Sequence, residues 1–123
     1  MRYRLIPLIL AGAFTPGLAG AGTRTTTPPL MTTSALQAVC LAQNITSAPV
    51  DLDVAIVNAA GATVAETSCQ KAVGSCRADL RATTGVVYCV VDVGQLKQAA
   101  LVTLMLVDQD GVVRISTEAH FED

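Results

Sequence analysis

Four cysteines, one histidine and a few spaced carboxylates are the residues of this 123-residue chain whose types could do chemistry. Cys40, Cys69, Cys76 and Cys89 follow the spacing C-x28-C-x6-C-x12-C. Redox pairs show C-x-x-C and zinc sites bring Cys and His together in close pairs, so neither chemistry is expected here. An even number of cysteines fits structural disulfides formed in an oxidising compartment. Three pairings are open. Cys69 and Cys76 flank a short turn between consecutive strands and are expected to face each other across a hairpin, which leaves Cys40 and Cys89 to bridge the first strand to a central one. On the chain-entropy model a loop of about 50 residues contributes roughly 4 kcal/mol and one of about 8 residues roughly 2.5 kcal/mol.

The remaining candidates argue against catalysis. A Ser/His/Asp hydrolase would need His120, the only histidine, which stands three residues from the end of the sequence, a poor place to hold a base within hydrogen-bond reach. Asp51 and Asp53 share one face of a strand, but nothing apolar surrounds them to raise a carboxyl pKa for acid catalysis, and they are expected to be solvated. Asp108-Gln109-Asp110-Gly111 opens like a calcium loop, then runs into Val112 and Val113 where more oxygen ligands are needed, so a hairpin turn is expected instead. Asn44-Ile45-Thr46 fits the glycosylation acceptor pattern and is likewise expected to be a turn. There is no G-x-S-x-G, no Gly-rich phosphate loop and no histidine cluster. The expected reading is therefore non-enzymatic, with no cofactor and no metal.

Charge and composition narrow the partners. Met1 to Ala21 reads as a cleavable export signal: Arg2 and Arg4, an apolar run from Leu5 to Phe14, the breakers Pro16-Gly17 and the small exit Ala19-Gly20-Ala21. The apolar run is about half the length of a membrane span, so a cleaved signal is expected rather than an anchor, and the product is expected to be periplasmic or extracellular without membrane insertion. Without those 21 residues, six Lys/Arg stand against ten Asp/Glu, a charge of about -4. No basic cluster is present to bind nucleic acid or an anionic membrane. Tyr88 and Phe121 are the only aromatic residues after the signal, too few for stacking platforms on sugars or single strands. Arg outnumbers Lys six to two and Ala fills nineteen positions, a bias associated with high-GC bacterial genomes.

These residues need a scaffold, and the pattern after Ser34 supplies an all-β one. Residues 22–33 hold six Thr and Pro28-Pro29 with only Leu30 and Met31 as large apolar residues, and are expected to form a flexible leader. Seven strands are then expected: Leu36–Gln43, Val50–Asn58, Ala62–Gln70, a short one from Cys76 to Arg81, Val86–Val93, Ala99–Val107 and Val112–Thr117. Val50, Leu52, Val54 and Ile56 alternate with polar residues, the mark of a strand with one buried side. Val86–Val93 is nearly all apolar and reads as a central strand. Gly94 to Gln98 admits a single helical turn. Seven antiparallel strands over 34–119, with 120–123 as a tail, match an immunoglobulin-like or fibronectin III-like sandwich, stapled by disulfides. Two details depart from the immunoglobulin pattern: no Trp is present, and Tyr88 directly precedes Cys89.

The export signal, Val39-Cys40, the N-x-x-x-x-P-V turn at Asn44 to Val50, Tyr88-Cys89 and the final D-x-D-G hairpin together resemble a loose group of short exported bacterial β-sandwich proteins of uncharacterised function. The resemblance implies a small sandwich and adds no catalytic or binding residue. The expected function is a module for protein-protein or envelope contacts; the alternatives are an accessory or inhibitor domain of an exported enzyme, or a small hydrolase around Asp51 and Asp53. Arg77, Asp79 and Arg81 are expected to guard an edge strand. In the penultimate strand Leu101, Thr103, Met105 and Val107 form one face and Ala100, Val102, Leu104 and Leu106 the other. If one face suffices for the core, Leu101, Thr103, Met105 and Val107 are candidates for contact with a second copy or another exported protein; the alternative is that both faces are buried.

Overall fold

The computed structural model describes residues 23–81, 83–94 and 100–119. The export signal expected over 1–21, the helical turn considered after Gly94, and His120 and Phe121 lie outside the described residues. The strands are β1 (Thr23–Thr26), β2 (Leu30–Thr32), β3 (Gln37–Asn44), β4 (Val50–Asn58), β5 (Thr63–Ala72), β6 (Ser75–Leu80), β7 (Gly85–Val93), β8 (Ala100–Val107) and β9 (Val113–Ala119). They form two antiparallel sheets, one ordered β1-β7-β4-β5 with β2 also paired to β7, the other ordered β6-β3-β8-β9. The architecture is the all-β sandwich expected, with nine strands among the described residues in place of seven.

The two additional strands correct the expectation of a flexible leader over 22–33. Thr is β-branched and suits a pleated strand, and its methyl group can be buried if its hydroxyl is paired or the site tolerates it. Thr25, Thr27 and Thr32 are all buried. Pro28-Pro29 breaks the run, so β1 pairs with Val90–Val93 and β2 with Gly85–Val87. At the break Thr27 does the work of a strand with its side chain: its N–H donates to the Cys89 carbonyl (2.9 Å), and its Oγ1 accepts the Cys89 N–H (3.0 Å).

The core is aliphatic. Val50, Leu52, Val54 and Ile56 of β4 and Val87, Val91 and Val93 of β7 face Ala38 and Ala42 of β3 and Val102, Leu104 and Leu106 of β8, all buried. Each large aliphatic side chain so buried stabilises by roughly 1.5–3 kcal/mol. β7 is central, as its apolar run implied, with the inner row buried and Val86, Tyr88 and Val90 half-buried outside.

Two disulfides tie the sheets. Cys40 of β3 is bridged to Cys89 of β7, with Cα atoms 5.6 Å apart. Facing sheets usually lie about 10 Å apart, so the layers must approach here. Ala38 and Ala42, fully buried on the same face of β3 as Cys40, are small enough to allow it. Cys69 is bridged to Cys76, Cα atoms 6.0 Å apart. The two cysteines do not face each other across a hairpin, as their spacing suggested: β5 and β6 belong to different sheets, and the bridge closes the corner where the chain crosses between them.

Thr27 and Thr32 give a paired test of this account. Thr32 Oγ1 is buried with no hydrogen-bond partner among the described residues. Replacing it with the isosteric Val removes an unpaired hydroxyl, so Thr32→Val is expected to leave stability unchanged or raise it by up to about 1 kcal/mol. Thr27→Val strands the buried Cys89 N–H and is expected to cost about 1–3 kcal/mol. Urea denaturation midpoints of the two variants, compared with the parent, read both signs.

Candidate functional site

The face of the four-stranded sheet that points away from the core is set by register. Ala38, Cys40 and Ala42 of β3 point inward, so Val39 and Leu41 point outward. Val39 is opposite Met105, Leu41 opposite Thr103, Gln43 opposite Leu101 and Gln37 opposite Val107. The four candidate contact residues therefore share the outer face, while Val102, Leu104 and Leu106 fill the core. Thr103, Met105 and Val107 are half-buried and Leu101 is 39% exposed. The alternative that both faces of β8 are enclosed does not hold. Val39 is almost covered by its neighbours on this face, and Leu41 is half-buried. Val113 of β9, opposite Val107, extends the apolar strip to the far edge, where it is 49% exposed. Arg77 and Asp79 stand along the β6 edge, joined to each other by two contacts of 3.0 Å, whereas Arg81, expected with them, lies beyond the end of the strand at Leu80.

The hairpin that carries β8 and β9 turns on Asp108. The Asp108 carboxylate accepts the N–H groups of Asp110 (2.9 Å) and Val112 (3.0 Å) on Oδ1, and Arg114 reaches Oδ2 at 3.2 Å. Gly111, at φ 82°, takes the left-handed conformation that closes the loop. The β4–β5 hairpin uses the same plan, with Asn58 Oδ1 accepting the N–H groups of Ala60 and Ala62, both at 3.0 Å, and Gly61 at φ 83°. Asp108-Gln109-Asp110-Gly111 is thus a turn whose carboxylate is engaged by its own backbone. Beside it a shallow depression of about 470 Å³ opens between this turn, the Ser34–Gln37 segment and Arg81.

On the other sheet, the carboxylates are also engaged. Asp51 is half-buried rather than fully solvated, and its Oδ1 accepts the Lys71 N–H (2.9 Å). That bond holds a register shift between β4 and β5, with Lys71 at φ 54°. Asp53 accepts the Ser68 hydroxyl (2.6 Å). Asp92, opposite Asp53 across β4 and β7, is held by Arg24 at 2.9 and 3.2 Å. Asn44 locks the turn expected there: its Nδ2 donates to the carbonyls of Ala48 and Ala72, both at 2.8 Å, and its Oδ1 accepts from Thr46. Among the described residues no group of three or more His, Cys, Asp and Glu could hold a metal ion.

The fold and face define a disulfide-tied antiparallel sandwich with an apolar outer sheet surface. No family model matches the chain, and no curated protein or solved structure matches it. The outer strip was legible in β8, whose two faces are both apolar. The contribution of Val39 and Leu41 was not, because the neighbour of β8 is chosen by strand order, which local pattern does not encode.

Hydrogen bonding holds Asp108 below the usual carboxylate range; the largest cause is the Val112 N–H, opposed by burial and supported by the Asp110 N–H and Arg114. A depressed folded-state pKa means the turn's carboxylate contributes stability at neutral pH that is lost as pH falls through that lowered value. Asn58 does not titrate. Amide exchange is therefore expected to accelerate at Gly111 and Val112 on acidification beyond what intrinsic chemistry requires, while Gly61 and Ala62 keep their protection. Equal behaviour of the two turns would show that the Asp108 carboxylate is not what holds its loop.

Proposed function

We propose that this chain is an exported, non-enzymatic β-sandwich module whose work is contact with another protein, made through the outer face of the four-stranded sheet around Leu101, Met105 and Val107. The observation that carries this reading is the apolar set of Val39, Leu41, Leu101, Met105, Val107 and Val113 on one outer face, with Leu101 39% and Val113 49% exposed. Soluble chains place large apolar patches where a partner covers them. The other outer face supports the contrast, since it carries Arg24, Asp53, Glu66 and Asp92.

The two disulfides fit an oxidising environment, and no helix among the described residues is long and apolar enough to cross a membrane. Export to the periplasm or medium is part of the same reading. Mass analysis of exported material is expected to find a first residue near Gly22. Intact Met1 in cytoplasmic protein would defeat this part.

Met105→Lys tests the contact face. The lysine stem can lie along the strip with its ammonium in water, so the variant is expected to fold and melt close to the parent while losing a partner captured by the parent from envelope or medium. Unchanged capture would remove this face from the function.

A further inference from the structure

A sandwich of two open sheets has four edges, and an edge strand with unpaired backbone groups adds a foreign strand unless something prevents it. Three edges here are obstructed. The β1/β2 edge is broken by Pro28-Pro29. The β5 edge has register shifts towards both ends, one with Lys71 at φ 54°, and is bridged through Cys69 to β6. The β6 edge is six residues long, its Arg77 and Asp79 are paired with each other, and it holds the other end of that bridge. The β9 edge has no proline, lysine or cysteine. Its register shift falls at Arg114, next to the turn, with regular pairing from Ile115 to Ala119, and Ile115, although opposite the core residue Leu106, is 48% exposed.

The sequence of β9, Val-Arg-Ile-Ser-Thr-Glu-Ala, places Arg114 and Glu118 symmetrically about Ser116. In an antiparallel pair related by a twofold axis, each residue and its mate have numbers of constant sum, since such an interface is isologous. With the axis at Ser116, Arg114 of each copy lies opposite Glu118 of the other and Ile115 opposite Thr117. Moving the axis to Arg114 or Glu118 sets like charges face to face, which is destabilising. The pattern is self-complementary in one register only.

We propose that β9 is the pairing edge of a homodimer, in which two copies join antiparallel about Ser116 and their four-stranded sheets become one sheet of eight. This goes beyond the contact reading above: the second copy pairs along the edge, leaves the outer face open and extends its apolar strip across both copies. Arg114 already meets Asp108 at 3.2 Å, but it is 64% exposed, and its guanidinium has five N–H donors, enough to serve Asp108 and the second copy's Glu118 together. β-Strand addition supplies the main-chain hydrogen bonds, and the two crossed ion pairs supply the register.

Sedimentation equilibrium on the oxidised full chain is expected to show a concentration-dependent dimer. Arg114→Glu and Glu118→Arg each turn two attractive pairs into two repulsive ones, and each is expected to weaken self-association roughly tenfold or more. The double variant R114E/E118R restores both pairs and is expected to recover the dimer. An equimolar mixture of the two single variants is expected to form a heterodimer, because R114E then offers Glu to Arg at both positions; circular dichroism and melting of each variant verify folding beforehand. Ser116→Cys, which leaves the charges untouched, is expected to cross-link into a covalent dimer, since the two sulfurs meet at the axis. A monomer at all concentrations, no recovery in the double variant and the mixture, or a Ser116→Cys that never cross-links would each overturn the proposal. A dimer insensitive to all these changes but abolished by Met105→Lys would overturn the β9 register while leaving the contact face standing, so the two readings fail separately.

Discussion

The separation of the two sheets at the Cys40–Cys89 bridge is the constraint to which the rest of the sandwich is fitted. The bridge requires backbones 5.6 Å apart at one point between layers that usually stand about 10 Å apart. On β3 and β6 small residues, Ala38, Ala42 and Ala78, flank Cys40, while Leu104 of β8 opposite Cys40 and Ile56 of β4 opposite Cys89 fill the space beside the bridge. The same bridge fixes which residues of β3 point inward, and with them the outward row of Val39 and Leu41 and, through register, the outward row of β8. Thr27 secures the other end, holding both backbone groups of Cys89. The apolar outer face is thus a consequence of where the sulfur bridge sits.

The two hairpins show how the remaining geometry is economically specified. Asn58 and Asp108 stand at corresponding positions of five-residue loops, each accepting two backbone N–H groups and each followed three residues later by a glycine of positive φ. One loop is neutral and the other is charged and tied to Arg114. The charged version belongs to the hairpin that ends in the unobstructed edge.

Much of this was readable from residue order. The alternation of Val50, Leu52, Val54 and Ile56 marked β4 with its observed ends at Val50 and Asn58, and Gly61 and Gly111 marked the loops, because these signals are local. β1 and β2 were missed because six Thr and two Pro read as a segment unable to bury surface. Tertiary context overrides that composition: Thr25, Thr27 and Thr32 are buried, and the Thr27 hydroxyl bonds to Cys89. The Cys69–Cys76 bridge lies at a corner and not across the expected hairpin for a related reason. Whether consecutive strands pair or change sheets depends on packing between layers, and a short connection permits either. The outer face was legible as two apolar rows on β8, but which row is inward is decided by β3, whose neighbour cannot be inferred from the sequence of either strand.

The break at Pro28-Pro29 also bears on the order in which the molecule assembles. The β4–β5 and β8–β9 hairpins close loops of a few residues, whereas Thr27 must find Cys89 across 62 positions. Loop closure over such a distance carries a larger entropy cost, which favours the hairpins forming first. The two short N-terminal segments, four and three residues long, pair with the side of β7 that β4 leaves free. Until they dock, β7 is an open edge of the growing sheet, and the proline pair limits how far any segment laid against it can run in continuous register.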